Sequence, residues 1–428
     1  MSTTSLDLRT LAIANDTYIT STFVKSNKGI DNTKLQKAIN VYSEEDSLEP
    51  YFVLKNEGTN TEPSWTITYS TASDQSGTVY LSEITNGMDA VNAAFAGLPK
   101  SRSTKLKVRV DNDLCTNEVS TVDANNTYGT LCITLGSYYA INVPNYAILD
   151  FNGNTIYANT TDSAKVIPIS VFGSKYASVR NLNIEGTAKF AVWVQGVNNC
   201  VFDNIKITGT TDTTAGLRIA FKGTVKSSNI VVNKVTVSGI GGNGIEMYDV
   251  NGALVGTATV SDCTGSGLYI SGTKNIALNT LTCTNCSPDT KMHAAVYCTK
   301  ACASNLHLGT INATACARGL LIDSSSSGVT VNTLNNSNSY AQAILLADAL
   351  NTLVLGGTLA AGSNNAEMAV QIIKQSSTTL ATNKDNTFRN LKIKDYKYGF
   401  YQVGTNISTG TTITTIRYSN VTYKTYGI

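Results

Sequence analysis

The sequence is poor in charged residues: Lys, Arg, Asp and Glu occupy 14% of its 428 positions, against about 25% in a typical soluble domain. Its 32 basic and 30 acidic residues leave a net charge of +2. General nucleic-acid binding and polybasic membrane binding need a strong basic excess, so neither is predicted. Six prolines exclude a proline-rich linker protein, and two histidines leave little material for an imidazole-rich metal site.

Long apolar runs are also missing. No stretch of about 18 apolar residues occurs, so no transmembrane helix is predicted. The first twenty residues have neither a basic segment nor an apolar core, and they do not match a secretory signal as written. We therefore expect a soluble chain made in a cytoplasm.

Nine cysteines, an odd number, are spread over the chain, which is not the pattern of a disulfide framework. Cys283 and Cys286 form a C-x-x-C pair with Cys298 and Cys302 nearby, and zinc binding is one interpretation. Burial is the favoured one, because Cys298 occupies an apolar strand position and a free cysteine behaves as a small hydrophobe. We predict no metal site and no cofactor, with a divalent cation such as calcium as an open alternative.

What the chain does contain is a repeat. From about residue 140 onward each copy opens with a small residue and a short alternating strand, and successive copies lie about 23 to 30 residues apart. A second short strand follows in each copy. Asn and Gly sit between the strands, where turns need tolerance of left-handed backbone. Repeats of this length without a helix predict the coils of a β-solenoid, in which strands of successive coils pair in parallel.

Alternation along the first strand of each copy assigns side chains to the interior or to the surface. Two apolar columns are predicted to point inward. The first contains Ile169, Val192, Leu217, Ile245, Leu268, Val296, Leu320, Ile344, Val370 and Phe400. The second contains Val171, Val194, Ile219, Met247, Ile270, Cys298, Ile322, Leu346 and Ile372, and Gln402 interrupts it at the last coil.

The start of the chain differs from the repeat. Residues 1–85 have clustered Lys, Glu and Asp and a mixed pattern, and we predict a small N-terminal head there. Residues 86–428 are predicted to form the solenoid. One apolar face followed by Gly97 and Pro99 indicates a helix over 87–96. This helix is well placed to cap the first coil, because a stack of coils needs capped ends.

Three features resemble the right-handed parallel β-helix of the pectate-lyase-like superfamily, over roughly 86–428. They are the capping helix followed by a strand, the segment 142–156 that looks like the superfamily's first-coil pattern "P-x-x-V-x-L-x-G-x-G-x-x-I", and the coil repeat. The resemblance implies an all-β, right-handed, single-stranded parallel β-helix of about ten or more coils. Members are mostly polysaccharide lyases and glycoside hydrolases. Bacteriophage tailspikes and depolymerases are the most similar in layout, since the chain has a distinct head and unpaired cysteines.

The resemblance to tailspikes implies further properties. The chain would form a homotrimer, its head would bind virion tail proteins, and it would lie in the virion tail after synthesis in the host cytoplasm, with secretion as the alternative. The implied activity is binding and depolymerisation of a host surface polysaccharide, by a lyase or a glycoside hydrolase. Two alternatives stay open: a free-standing polysaccharide lyase for an acidic glycan such as alginate or pectate, and a non-catalytic structural spike or adhesin.

One predicted outward surface is rich in aromatic and charged side chains, and we expect it to face water and bind the substrate. Aromatic faces stack on sugars, and cations hold the carboxylates of acidic sugars. The predicted substrate-binding residues are Trp193, Gln195, Tyr269, Tyr297 and Asp323. The predicted catalytic residues are Glu246, Tyr248, Arg218 and Lys222.

Elimination from a uronic acid needs a cation on the carboxylate, a base for the α-proton and an acid for the leaving oxygen. Arg218 or Lys222 is the candidate cation, and Tyr248 or Tyr269 the candidate base or acid. The alternative for the tyrosines is a surface ladder or a subunit interface. A cross-strand ion pair with Glu246 is the alternative for Arg218.

Hydrolysis instead needs two carboxylates about 5–9 Å apart. Glu246 is the best single candidate, and Asp323 lies three coils away, about 14 Å by rung spacing. The pair is incomplete within one chain, which slightly favours a lyase or a site between subunits. His293, two residues before its strand, is either a general acid or base or a surface turn residue, and His307 is assigned to structure.

Overall fold

In the computed structural model, two compact units divide the chain. One comprises residues 39–241, and the other comprises 1–38 together with 242–428. The residues described are 24–25, 29–30, 48–58, 64–69, 77–80, 87–115, 130–132, 137–158, 166–288, 292–300, 305–364, 366–375 and 382–428. Much of the predicted head therefore lies outside the described residues. Near the start, two short strands, β1 (Val24–Lys25) and β2 (Gly29–Ile30), pair antiparallel.

The unit over 39–241 consists almost entirely of strands. They are β3 (Phe52–Asn56), β4 (Trp65–Tyr69), β5 (Gly77–Tyr80), β6 (Leu106–Val110), β7 (Leu114–Cys115), β8 (Thr130–Cys132), β9 (Ser137–Asn142), β10 (Ala147–Asp150), β11 (Thr155–Ala158), β12 (Val166–Phe172), β13 (Ser178–Gly186), β14 (Phe190–Gln195), β15 (Asn198–Thr208), β16 (Ala215–Ala220) and β17 (Ser228–Ser238). We call β9, β12, β14 and β16 front strands, and β13, β15 and β17 back strands. Each set pairs in parallel.

Between β5 and β6 lies the predicted capping helix, α1 (Gly87–Gly97). Met88 and Val91 are fully buried, and Asn92 Nδ2 donates to the carbonyl of Ala140 on β9 at 2.8 Å. A Cβ atom at Gly87 would lie 2.2 Å from the end of the Leu114 side chain, so a larger residue there would have to displace that side chain. The helix thus covers the first coil, as predicted, and ends one residue later than predicted. No described helix is long and apolar enough to cross a membrane.

Part of the predicted head continues the sheet of the solenoid. Strand β3 pairs in parallel with β6, with Phe52 opposite Val108, and β4 and β5 follow as an antiparallel extension. Phe52 and Leu54 are buried. The described strands before the helix therefore add to the hydrophobic core of this unit.

In the unit over 242–428, the strands again alternate between a front and a back sheet. They are β18 (Asn243–Tyr248), β19 (Asn251–Ser261), β20 (Leu268–Ser271), β21 (Lys274–Thr284), β22 (Val296–Thr299), β23 (Leu306–Thr314), β24 (Leu320–Asp323), β25 (Val329–Ser337), β26 (Ile344–Ala347), β27 (Leu353–Val354), β28 (Gly357–Ala360), β29 (Met368–Ile373), β30 (Asn383–Lys384), β31 (Thr387–Arg389), β32 (Leu391–Lys394), β33 (Tyr398–Gln402), β34 (Ser408–Thr409), β35 (Thr412–Thr414), β36 (Arg417–Ser419) and β37 (Tyr423–Tyr426). A short 3₁₀ turn spans Gly362–Asn364. The front strands here are β18, β20, β22, β24, β26, β29, β33 and β37.

The inward columns are confirmed in both units. In the front strands of 39–241, Ile169 pairs with Val192 and Val192 with Leu217. In those of 242–428, Ile245 pairs with Leu268. All five side chains are fully buried. The chain is an all-β parallel β-solenoid, because one aliphatic residue per coil stacks on the next and no coil buries its face alone.

Truncating a column residue should therefore be costly. We expect Leu268→Ala to lower the free energy of unfolding by about 2–5 kcal/mol, because it removes buried methyl groups and leaves a cavity. Thr259→Ala on the same unit is the control, since this side chain is exposed and its loss should change stability by about 0.5 kcal/mol at most. Chemical denaturation of both variants measures the difference. Equal stability of the two variants would contradict the predicted register.

Candidate functional site

The predicted outward column exists, with one member on each front strand. In 39–241, Ser170 pairs with Trp193, and Trp193 with Arg218. In 242–428, the column runs through Glu246, Tyr269, Tyr297, Leu321, Leu345, Gln371 and Tyr401, each paired with the next. The strand register that underlies the predicted site is therefore correct within each unit.

The prediction that this column faces water is wrong for five of its members, which are buried: Ser170, Trp193, Glu246, Leu321 and Leu345. Trp193 is 4% exposed and Glu246 is 3% exposed. The Trp193 ring packs 5.1 Å from the ring of Phe172 and 5.1 Å from that of Phe190. These two aromatic rings cover Trp193, so its outward position on the strand does not expose it to solvent. Trp193 is thus a packing residue of its unit rather than an open stacking surface.

The remaining predicted residues of 39–241 do not form a reactive cluster. The guanidinium of Arg218 lies 4.8 Å from the centre of the Phe190 ring, a cation–π contact that also occupies its flat face. Lys222 is exposed in a turn, where its backbone exchanges hydrogen bonds with Val225 at 2.8 and 2.9 Å. Gln195 is half-buried at the end of β14, opposite Ala220.

In 242–428, the predicted tyrosines form a continuous ladder. The rings of Tyr248 and Tyr269 lie 5.3 Å apart, as do those of Tyr269 and Tyr297. All three side chains are half-buried. This tyrosine ladder presents phenol groups and partly open ring faces over three successive coils.

Tyr297 is tied to a carboxylate. Its hydroxyl donates to Asp323 Oδ2 at 2.6 Å, and Asp323 is buried at the end of β24. Burial and this hydrogen bond raise the pKa of Tyr297 above its ordinary value. Tyr297 therefore stays protonated and is not available as a base.

A chain of hydrogen bonds joins Glu246 to a histidine. Asn243 Nδ2 donates to Glu246 Oε1 at 2.8 Å, and the Ser266 amide donates to Asn243 Oδ1 at 2.6 Å. Ser266 Oγ lies 3.4 Å from His293 Nδ1. Burial, and then the charge of Arg318, lower the pKa of His293 below its ordinary value. His293 is half-buried and is neutral at neutral pH, the state in which it can accept a proton.

Arg318 is a site residue that the strand pattern did not indicate. Its Nε donates to Gln342 Oε1 at 3.0 Å, and its Nη1 donates to the His293 carbonyl at 3.5 Å. Gln342 in turn donates to Gln371 of the outward column. These residues hold a guanidinium beside the imidazole and the tyrosine ladder.

A positional signal for these residues exists in the sequence. Asn243, Ser266, Arg318 and Gln342 each come directly before the small residue that opens a coil, and His293 comes two residues before. They form a polar row at the N-terminal ends of the front strands. We call this row and the ladder Tyr248–Tyr269–Tyr297, with Glu246 and Asp323, the front-face site.

The carboxylates of this site are far apart. Strand β18 with Glu246 pairs with β20, β20 with β22, and β22 with β24, which carries Asp323. Three rungs amount to about 14 Å, beyond the separation that hydrolysis requires.

In the described part of the chain, no group of three His, Cys, Asp or Glu side chains is arranged to hold a metal ion. Six described cysteines are buried and form no disulfide: Cys200, Cys263, Cys283, Cys286, Cys298 and Cys316. Burial is the largest cause that raises the pKa of Cys283. Cys283 and Cys286 are buried, in agreement with the favoured interpretation of the C-x-x-C pair.

In the comparisons with known proteins, only solved structures match this chain. No protein-family model and no curated protein matches the sequence. The A-module of the mannuronan C-5 epimerase AlgE4 from Azotobacter vinelandii aligns with 9% identity over 80% of this chain and 91% of that one, with a TM-score of 0.48. The surface adhesin PfbA of Streptococcus pneumoniae aligns with 9% identity over 79% and 86%, with a TM-score of 0.36.

A third structure, the catalytic domain of a GH87 α-1,3-glucanase in complex with nigerose, aligns with 12% identity over 79% of this chain and 64% of that one, with a TM-score of 0.34. Such identities and TM-scores carry no functional information. The function of this chain has to be inferred from its own residues.

Proposed function

We propose that this chain binds an acidic polysaccharide along the front-face site and cleaves it by elimination. The observation that carries the proposal is the position of a neutral imidazole, His293, beside a guanidinium, Arg318, and at one end of the tyrosine ladder. These are the three kinds of group that elimination from a uronate requires.

Binding is supported by the spacing of the ladder. Tyrosine rings at intervals of 5.3 Å, inclined to each other by 46° and 87°, offer successive apolar surfaces to the C–H faces of pyranose rings. Arg318 is the half-buried cation of this face, and a guanidinium holds a carboxylate through paired hydrogen bonds. An acidic sugar is therefore favoured over a neutral one.

The proposed reaction assigns one role to each group. Arg318 neutralises the uronate carboxylate, and neutral His293 takes the proton from the α-carbon. The electron pair of that C–H bond forms a carbon–carbon double bond, and the bond from the β-carbon to the bridging oxygen breaks. The Tyr269 phenol donates its proton to that oxygen. Tyr297 positions the substrate, because its own proton is held by Asp323.

More specifically, we propose a tailspike-like protein that cleaves a host surface polysaccharide. It is supported by the resemblance of the coil repeat, the capping helix and the N-terminal layout to that class of protein. Assembly as a homotrimer, attachment of residues 1–85 to virion tail proteins, and location in the virion tail belong to this proposal. Light scattering tests it, since a monomer would favour the free-standing lyase instead.

The test of the activity is direct. We expect incubation with alginate, pectate or an acidic bacterial capsule to produce ultraviolet absorbance from the new conjugated double bond, together with new reducing ends. New reducing ends without that absorbance would indicate hydrolysis and contradict the proposed reaction. Tight binding with neither signal would make the chain a non-catalytic adhesin.

A further inference from the structure

Four tyrosine rings cluster at the C-terminal end of the front sheet, on coils beyond the front-face site. They are Tyr398 and Tyr401 on β33, and Tyr423 and Tyr426 on β37. Tyr398 stacks on Tyr423 with 5.2 Å between centroids and 17° between planes. Tyr401 stacks on Tyr426 at 5.4 Å and 10°. Tyr398 also lies 4.8 Å from Tyr401, so the rings form one continuous surface, here called the tyrosine platform.

The outer half of the platform is open. Tyr423 is 47% exposed and Tyr426 is 48% exposed, and every residue of β37 is exposed. The outer rings of the two stacked pairs stay in water. They therefore contribute much less to stability than fully buried rings would. Contiguous exposed aromatic surface of this kind marks an interaction site.

The chain segment that carries the platform is basic. Residues 384–428 contain seven Lys or Arg and two Asp, a net charge of +5, whereas the whole chain has +2. Lys397 Nζ lies 5.2 Å from the centre of the Tyr398 ring and 3.6 Å from Glu367 Oε1, in an exposed ion pair. Lys424 is exposed between Tyr423 and Tyr426 on the same strand, and its Nζ lies 5.8 Å from the centre of the Tyr418 ring. This concentration of positive charge is complementary to an anionic ligand.

We propose that the tyrosine platform is a second saccharide-binding site, which takes pyranose rings of a carboxylated polysaccharide. Flat phenol rings stack on the C–H face of a pyranose, and the lysines attract its carboxylates. The described residues of β33 and β37 include no histidine or carboxylate, and we assign binding alone to the platform. This proposal rests on residues outside the front-face site, and it does not depend on the reaction proposed for that site.

The test measures the affinity of the whole chain for hexasaccharides of mannuronate, guluronate and galacturonate by isothermal titration calorimetry. Cleavage during titration is avoided by placing every variant in the background His293→Ala. We expect Tyr423→Ala with Tyr426→Ala to weaken binding of at least one uronate by about tenfold, because two stacking rings are lost. Tyr423→Phe with Tyr426→Phe should retain the affinity, because the ring faces remain.

Two further variants distinguish binding at the platform from binding elsewhere on the chain. Tyr157→Ala removes a tyrosine of comparable exposure, 37%, in the other unit and should leave the affinity unchanged. Lys424→Ala should weaken binding and reduce its dependence on salt. Unchanged affinity in the double alanine variant, or no uronate binding by the parent chain, would overturn the proposal.

A change in oligomeric state without a change in affinity would instead identify the platform as a subunit contact and likewise overturn the proposal. Failure of the front-face proposal is recognised separately. In that case the chain with His293 intact releases no unsaturated product, whatever the platform binds.

Discussion

Replacing His293 by alanine is expected to lower the rate of elimination by about 100- to 10,000-fold, the range that a positioned general base contributes. The reason is geometric: the imidazole is half-buried beside Arg318, with its Nδ1 facing Ser266 at 3.4 Å. The affinity for the polysaccharide should change little, because the tyrosine ladder and Arg318 remain. Initial rates from the ultraviolet absorbance of the product, at several substrate concentrations, separate the rate from the affinity.

The same residue predicts the direction of the pH profile. Burial and the charge of Arg318 lower the pKa of His293 below 6.5, so the imidazole loses its proton at a lower pH than an exposed histidine. The proposed base works in its neutral form. Activity should therefore be complete at neutral pH, and should fall as the pH drops through that lowered pKa. A rate that rises on acidification would contradict the role of His293 as base.

His307 is the matched control for this substitution. It lies on back strand β23 and is buried, and burial lowers its pKa to about 4. His307→Ala should alter stability but not the rate measured on folded protein, because the residue is outside the front-face site. Equal losses of rate in the two variants would show that the effect of His293→Ala is structural.

Replacing Arg180 by methionine should destabilise the unit over 39–241 by about 3–5 kcal/mol, the cost of removing one partner of a buried ion pair. Arg180 is fully buried on β13, and its Nη2 donates to Asp203 Oδ2 on β15 at 2.6 Å. Methionine keeps most of the apolar volume. The decrease in the free energy of unfolding therefore measures the cost of burying the Asp203 carboxylate without its cation.

A second substitution tests whether the buried carboxylate is the cause. In Arg180→Met with Asp203→Asn, the buried negative charge is gone, and an acceptor remains for the Asn233 amide, which lies 2.8 Å from Asp203 Oδ1. The double variant should recover most of the stability. Lys206→Met is the surface control, since this cation on β15 is exposed. Denaturant unfolding measures all three, and a double variant as unstable as the single one would contradict the role of the ion pair.

The solenoid could be predicted from the sequence because its rule is local. Side chains alternate along a strand, so small opening residues and paired aliphatics such as Val192 and Val194 already indicate which face is buried. The helix over 87–97 was predictable for the same reason, from one apolar face and a stop signal. The paired column positions in each unit agree with that prediction.

The front-face site was predictable only in part. Tyr269 and Tyr297 belong to the alternating strands and were found. For His293 the sequence leaves a general acid or base and a surface turn residue as alternatives. It does not indicate Arg318, which precedes its strand, or Asn243, the first residue of β18. Their contacts depend on which turns of successive coils lie side by side.

The amino-acid sequence by itself determined the coil repeat, the inward aliphatic columns and the choice of which residues share an outward face, because strand periodicity is a property of neighbouring positions. Only the tertiary structure decided which outward side chains are open. Trp193 is enclosed by the rings of Phe172 and Phe190, and Tyr297 keeps its proton beside Asp323. Phe172 and Asp323 lie on the coils next to these side chains but more than 20 residues away in the chain, so local periodicity cannot report their contacts.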